Sequence, residues 1–213
     1  MKKVLVFDLD GTIIDTLYSI AYSCNQALTN HHYEPSEVKD YINYVGDGMK
    51  ELVLRAMKLK EPNEDYQAIC NMYQENYAKY QIDLAKPFDG MEETLKRLKE
   101  KGYHLACISN KPDLNVKEMV EHFYPGLFEY KAGQKDEVKR KPHEESLCIM
   151  ADFFNVKKEE IAYIGDSHVD ALFAKNFGCD LYLATYGYER KENLYSLNPL
   201  HFFDKPEDLI NYF

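Results

Sequence analysis

The run Val4-Leu5-Val6-Phe7 stops on Asp8-Leu9-Asp10-Gly11-Thr12, and that junction constrains the fold more than any other feature of the chain. Four apolar residues in succession have strand length and are apolar on both faces, as in the interior of a parallel sheet. Parallel neighbours must come from strands alternating with helices. That alternation does not follow at once. From Asp15 to about Ala85 the apolar residues recur at helical spacing, first Leu17, Ile20, Ala21, Cys24, Ala27 and Leu28, then Leu52, Val53, Ala56, Met57 and Leu59.

Strands and helices alternate only after Pro87. Met91, Leu95 and Leu98 mark a helix that Gly102 ends, and His104 to Ile108 reads as a buried strand. A second helix and strand follow, ending near Phe128-Glu129-Tyr130. A helix with Leu147, Met150, Phe153 and Phe154 precedes the strand Ile161 to Ile164. A helix over Ala171 to Phe177 precedes the strand Leu181 to Ala184, and the strand His201 to Phe203 leads into a C-terminal helix. The predicted fold is α/β, a Rossmann-like parallel sheet with helices on both faces. The first strand joins that sheet only if the helical stretch is an insertion. The expected domains are therefore residues 1–14 with 86–213 as core, and 15–85 as a small all-helical cap.

A length of 213 residues suits this plan, and Gly and Pro are too sparse for a linker-dominated chain. The formal charge of −10 repels nucleic-acid backbones and anionic membranes, so neither is expected as a partner. An anionic small molecule is repelled too, unless a metal ion and a few fixed cations reverse the potential locally. The five cysteines, Cys24, Cys70, Cys107, Cys148 and Cys179, are widely spaced with no C-x-x-C pair and read as reduced thiols. Lys2 and Lys3 before an apolar run look like the start of a signal peptide, but Asp8 interrupts the run too early. The expected location is the cytoplasm, as a monomer or homodimer.

Ligands of parallel α/β sheets bind beyond the carboxyl ends of the strands. Four such ends carry polar groups. Asp8 and Asp10, two apart in extended chain, point to one side and form a carboxylate pair that a hard cation such as magnesium would relieve. A turn at Asp10-Gly11 with Thr12 as helix cap accounts for the same residues. Ser109 and Asn110 have donors suited to phosphate oxygens and also suit an ordinary turn. Lys141, before Pro142, offers a fixed cation, whereas Lys139 and Arg140 read as solvated charges. Asp166 ends another buried strand, and Asp170 lies one helical turn further on, a second acidic pair at the same sheet edge.

Together, Asp8-Leu9-Asp10-Gly11-Thr12, Ser109-Asn110, Lys141-Pro142 and Gly165-Asp166-Ser167 through Asp170 resemble the four motifs of the haloacid dehalogenase superfamily, in that family's order. Val45-Gly46-Asp47-Gly48 and Pro87-Phe88-Asp89-Gly90 resemble its phosphoglycolate phosphatase branch. The resemblance implies a magnesium-dependent phosphatase acting on a small phosphorylated metabolite. Asp8 would be the nucleophile, and Asp10 the acid and then the base. Ser109, Asn110 and Lys141 would bind the phosphoryl group, with Lys139 the alternative lysine. The metal would be held by Asp8, the Asp10 backbone carbonyl and Asp166, with Asp170 ligating or supporting. Asp10 also separates the chain from the dehalogenases themselves, which lack an acid there. Other capped members of the superfamily remain as alternatives: a pyrophosphatase, a nucleotidase or a sugar-phosphate mutase. A non-catalytic phosphate-binding regulator is the reading outside catalysis. The scattered histidines and the cap tyrosines Tyr18, Tyr22, Tyr41 and Tyr44 read as structural or solvated residues.

Overall fold

A computed structural model describes residues 1–213. The chain forms two compact units, Met1–Ile14 with Pro87–Phe213, and Asp15–Lys86. In chain order the strands are β1 (Val4–Phe7), β2 (Ile14–Asp15), β3 (Lys86–Pro87), β4 (His104–Pro112), β5 (Tyr130–Gln134), β6 (Ile161–Gly165), β7 (Asp180–Ala184) and β8 (His201–Phe203). The helices are α1 (Leu17–Asn30), α2 (Met49–Ala56), α3 (Tyr66–Tyr80), α4 (Met91–Glu100), α5 (Asp113–Phe123), α6 (Glu145–Phe154), α7 (His168–Phe177) and the short α8 (Lys191–Leu194). None is long and apolar enough to cross a membrane.

The larger unit is built on a six-stranded sheet in the order β5-β4-β1-β6-β7-β8, parallel at every pairing. The chain runs outward from β1 through β4 to β5, then returns to β6 on the other side of β1. The strand order therefore reverses at β1, and a doubly wound sheet opens its ligand crevice at such a reversal. Register sets which residues reach it. Phe7 pairs with Cys107 on one side and Ile164 on the other, so the next residues on all three strands leave the sheet nearly level.

All four β1 residues are fully buried. Val4 and Val6 join a cluster with Leu147, Met150, Tyr163, Phe173 and Leu183, which packs α6 and α7 against one face. Leu5 and Phe7 alternate to the other face, where Phe7 meets the Phe128 ring edge-on at 6.0 Å. A strand covered on both sides is why the sequence shows a continuous apolar run there and no alternation.

The smaller unit packs α1, α2 and α3 around Cys24, Leu28, Tyr41, Val53, Ile69 and Tyr73. Asn25 ties it together, accepting from the Ser36 N–H at 3.0 Å and the Tyr41 hydroxyl at 2.8 Å. Tyr41 is fully buried and Tyr44 stacks edge-on against it, while Tyr18 is exposed.

Three elements differ from expectation. The helical stretch is broken by a 3-10 turn at Val38–Asn43 and by a non-helical segment after α2, where Lys58 is left-handed and Pro62 cannot continue a helix. β5 begins at Tyr130, because Tyr124 and Phe128 pack in the preceding loop as core residues. The C-terminal helix is a 3-10 turn, Pro206–Asn211.

Phe173 joins α7 to the sheet, fully buried and edge-on to Tyr163 with ring centroids 5.2 Å apart. Phe173→Ala is expected to lower stability by about 3–5 kcal/mol. Urea denaturation followed by far-UV circular dichroism checks this, and an unchanged midpoint would refute the packing role.

Candidate active site

The site is built from residues that leave the carboxyl ends of β1, β4 and β6. After Phe7 the Asp8 N–H still bonds the Ile164 carbonyl at 2.9 Å, so the first carboxylate stays in the plane of the sheet edge. The chain then tightens. The N–H groups of Ile13 and Ile14 both bond the Leu9 carbonyl at 3.1 Å, folding Asp10 to Ile14 into a compact loop with Gly11 at φ +82°. On β4 the register to β5 shifts between Ile108 and Pro112. Such an irregularity re-aims side chains. Ser109, Asn110 and Lys111 are all buried at this edge.

Lys141 holds the centre. Its ammonium lies 2.8 Å from Asp8 Oδ1 and 2.8 Å from Asp170 Oδ1, and it donates to the Tyr163 hydroxyl at 3.0 Å. Only 3 % of the residue is exposed, so two carboxylates and a phenol replace its water. Asn110 fixes the backbone beneath it, accepting from the Lys141 N–H at 2.8 Å and donating to the Lys141 carbonyl at 3.1 Å. The Asn110 amide, expected to bind phosphate, thus clamps the lysine. Of the two candidate lysines, Lys141 is buried against Asp8, whereas Lys139 is exposed beside His143.

Asp170 is saturated. Its Oδ1 accepts from Lys141 and from the Tyr163 hydroxyl at 3.0 Å, and its Oδ2 accepts from the backbone N–H groups of Asp166 and Ser167 and from the Ser167 hydroxyl. Ser167 is the N-cap of α7, and its exchange with Asp170 is a capping box, so one aspartate both starts the helix and anchors Lys141. With five donors on its two oxygens, Asp170 has the surroundings of an orienting group.

Asp166 is held differently. Thr12 donates to its Oδ1 at 2.9 Å and the Tyr188 N–H to its Oδ2 at 2.7 Å. Two glycines make room for it, since a Cβ on Gly187 would collide with Asp166 Cβ and one on Gly11 with Asp166 Oδ2. Asp10 sits at the mouth, both oxygens facing the Lys111 ammonium at 2.7 and 3.0 Å.

One ligand oxygen from each of Asp8, Asp166 and Asp170 falls within 4.8 Å of the others. Burial first, then the negative charges of Asp170 and Asp10, outweigh Lys141 and raise Asp8 to about 7. Burial, with Asp170 and Asp8, also pushes Asp166 well above the usual carboxylate range. Asp170 goes the other way, because Lys141 overrides its burial. Lys141 itself loses affinity for its proton through burial and regains more from Asp170 and Asp8, ending above the usual lysine value.

Four carboxylates, Asp8, Asp10, Asp166 and Asp170, thus face two ammonium groups, Lys111 and Lys141. The deficit equals the charge of one divalent cation. Asp8 Oδ1 is buried with no aligned hydrogen-bond donor, its contact with Lys141 being one of charge. An all-oxygen donor set with one such oxygen fits a hard cation such as magnesium.

Sequence reasoning singled out every carboxylate and the central lysine; the structure brings Asp8, Asp166 and Asp170 together around Lys141, while the Asp10 side chain turns to Lys111 and does not join the Asp8 carboxylate in the cluster. The sequence offered Thr12 as a helix cap, whereas Thr16 is the N-cap of α1 and the Thr12 hydroxyl donates to Asp166, and it gave no role to Lys111, Tyr163 or Gly187. Lys111 had a signal, a cation directly after Ser109-Asn110 at a strand end. Tyr163 and Gly187 had none, since an apolar-run tyrosine and a loop glycine look alike wherever they fall.

A sequence model of the haloacid dehalogenase-like hydrolases matches residues 5–184. A phosphoglycolate phosphatase of Vibrio parahaemolyticus is 30% identical over 215 residues, covering 98% of this chain and 94% of that protein. One from Haemophilus influenzae is 28% identical over 216 residues, covering 98% and 96%. A crystal structure of a predicted phosphoglycolate phosphatase from Haemophilus somnus superposes with a TM-score of 0.91 at 25% identity, covering 99% of this chain and 97% of that one.

Two outcomes follow from this geometry. Gly187→Ala should displace Asp166 and weaken divalent-cation binding at least about tenfold, measured by calorimetry; unchanged affinity would sink the close-packing argument. Divalent-cation binding should also release a proton. With Asp8 raised to about 7, the metal-free site carries that proton below pH 7 and has lost it above. Asp166 is raised as well, so affinity should fall by at least about tenfold per pH unit below 7. Titration calorimetry in buffers of different ionisation enthalpy reads the proton directly, and no release at pH 6 would contradict the assignment.

Proposed function

This chain belongs to the haloacid dehalogenase-like hydrolases, and from that premise we propose that it is a magnesium-dependent phosphatase that cleaves a small, phosphoglycolate-like phosphomonoester through an aspartyl-phosphate on Asp8. The observation that carries the reading is a buried carboxylate, Asp8, held at a sheet edge by a buried ammonium with a second carboxyl group, Asp10, two residues away. A nucleophile and a separate proton carrier side by side are what phosphate-ester cleavage needs and what a binding scaffold does not.

In this mechanism the Asp8 carboxylate attacks phosphorus and the bond from phosphorus to the leaving oxygen breaks. Asp10 gives its proton to that oxygen. Asp10 then takes a proton from the water that attacks phosphorus in the aspartyl-phosphate, so inorganic phosphate leaves and Asp8 is regenerated. Ser109 and Lys141 hold the phosphoryl oxygens, while Asn110, Tyr163 and Asp170 keep the Lys141 ammonium aimed. A magnesium ion held by Asp8, Asp166 and the Asp10 carbonyl, with Asp170 orienting, supplies the positive charge that lets one anion approach another. The five free cysteines agree with a cytoplasmic setting for this reading.

The test is phosphate release from phosphoglycolate, sugar phosphates, nucleotides and pyrophosphate, with magnesium or with chelator. Wild type should release phosphate fastest from phosphoglycolate, chelator should abolish release, and Asp8→Asn should lower kcat on the order of 10³-fold or more. Release that survives Asp8→Asn in full would end the covalent reading.

A further inference from the structure

Lys111 is left over by the mechanism above. Its side chain is 6 % exposed and ends on Asp10, whose side chain is 19 % exposed. Lys141 already answers Asp8 and Asp170, and the expected phosphoryl contacts, Ser109 and Lys141, do not involve Lys111. Its backbone N–H donates to Ser109 Oγ at 3.3 Å, which ties it to the same irregular stretch of β4. Removing an ammonium from water is costly, so a buried lysine placed against the acid of the site calls for a role there.

Resting on the phosphatase reading, we propose that Lys111 is the specificity-determining residue for the leaving group, taking a carboxylate carried one carbon away from the ester oxygen. The argument is one of position. Asp10 serves the leaving oxygen, so whatever touches both Asp10 oxygens lies beside the first atoms of the leaving group. On a phosphorylated 2-hydroxy acid those atoms are a carbon and then a carboxylate. The ammonium therefore meets a substrate anion when the substrate is such an acid and keeps Asp10 when it is a neutral alcohol.

Exchange of partners also accounts for the pairing seen here. While Lys111 holds both Asp10 oxygens, Asp10 is not free to turn towards the ester oxygen. A substrate carboxylate accepts the same two-oxygen contact and replaces Asp10 on Lys111. Binding the right leaving group and releasing the proton carrier are then one event. The surrounding field sharpens the choice, because the chain is strongly acidic and the mouth of the site offers an incoming anion this ammonium.

The experiment compares 2-phosphoglycolate with 2-hydroxyethyl phosphate, which replaces the carboxylate by a neutral alcohol, in wild type, Lys111→Met and Lys111→Arg. Wild type should favour phosphoglycolate in kcat/KM by about 100-fold. Lys111→Met should bring that ratio to within about threefold, chiefly by raising KM for phosphoglycolate, and Lys111→Arg should restore most of it. Equal losses on both substrates in Lys111→Met would overturn the proposal, since Lys111 would then act only through Asp10. Wild-type cleavage of both esters without preference would overturn it and leave the phosphatase reading standing. No phosphate from either ester, in a folded magnesium-binding protein, would overturn both.

Discussion

The Lys141 ammonium is the interaction on which the rest of this site depends. A buried cation needs partners that recover its lost hydration, and here they come from three separate parts of the chain, Asp8 after β1, Tyr163 on β6 and Asp170 on α7. Each partner is constrained in turn. Asp170 cannot move without undoing the start of α7, and Tyr163 cannot move without disturbing Phe173 and the sheet face behind it. The cation is thus fixed by the core. An ammonium aimed this way is already oriented when a phosphoryl group arrives, which is the condition under which electrostatic stabilisation accelerates a reaction.

Charge balance then explains the acidity of the chain at this edge. Carboxylates outnumber ammonium groups by two, and burial drives the protons of Asp8 and Asp166 upward, so the metal-free site is an unfinished arrangement. A divalent cation would complete it. The close glycines belong to the same economy of space: Gly11 and Gly187 let two loops approach Asp166 where any side chain would collide with it. Metal affinity in such a site is set as much by these missing side chains as by the carboxylates present.

Much of this was legible in the sequence because parallel sheets announce themselves. Strands buried on both faces appear as unbroken apolar runs, and the polar residues that end them are the ones the fold delivers to one crevice. Asp8, Asp10, Ser109 and Asp166 were singled out this way, Lys141 by the proline after it and Asp170 by its place one turn past Asp166, and five of the six strands followed from the same runs, β5 lying further along than expected. What escaped was set by contacts distant in sequence. The role of Asn110 depends on Lys141, 31 residues away. The importance of Gly187 depends on Asp166, and the later start of β5 depends on Phe128 choosing Phe7 as its partner. Periodicity carries no information about any of these pairings.

The two lysines divide the site in a way that separates chemistry from selectivity. Lys141, tied to Asp8 and to the core, would on the proposed reading serve the phosphoryl group that every substrate of this class shares. Lys111, whose ammonium pairs with Asp10, would on the same reading face the part of the substrate that differs from one phosphomonoester to the next. A rigid cation at the constant end and a cation with an exchangeable partner at the variable end is a physical basis for one reaction with many specificities. On that reading motif residues reveal the reaction more readily than the substrate, because the first lysine is held by Asp8 and Asp170 within the motifs, whereas the partner of the second changes with the leaving group.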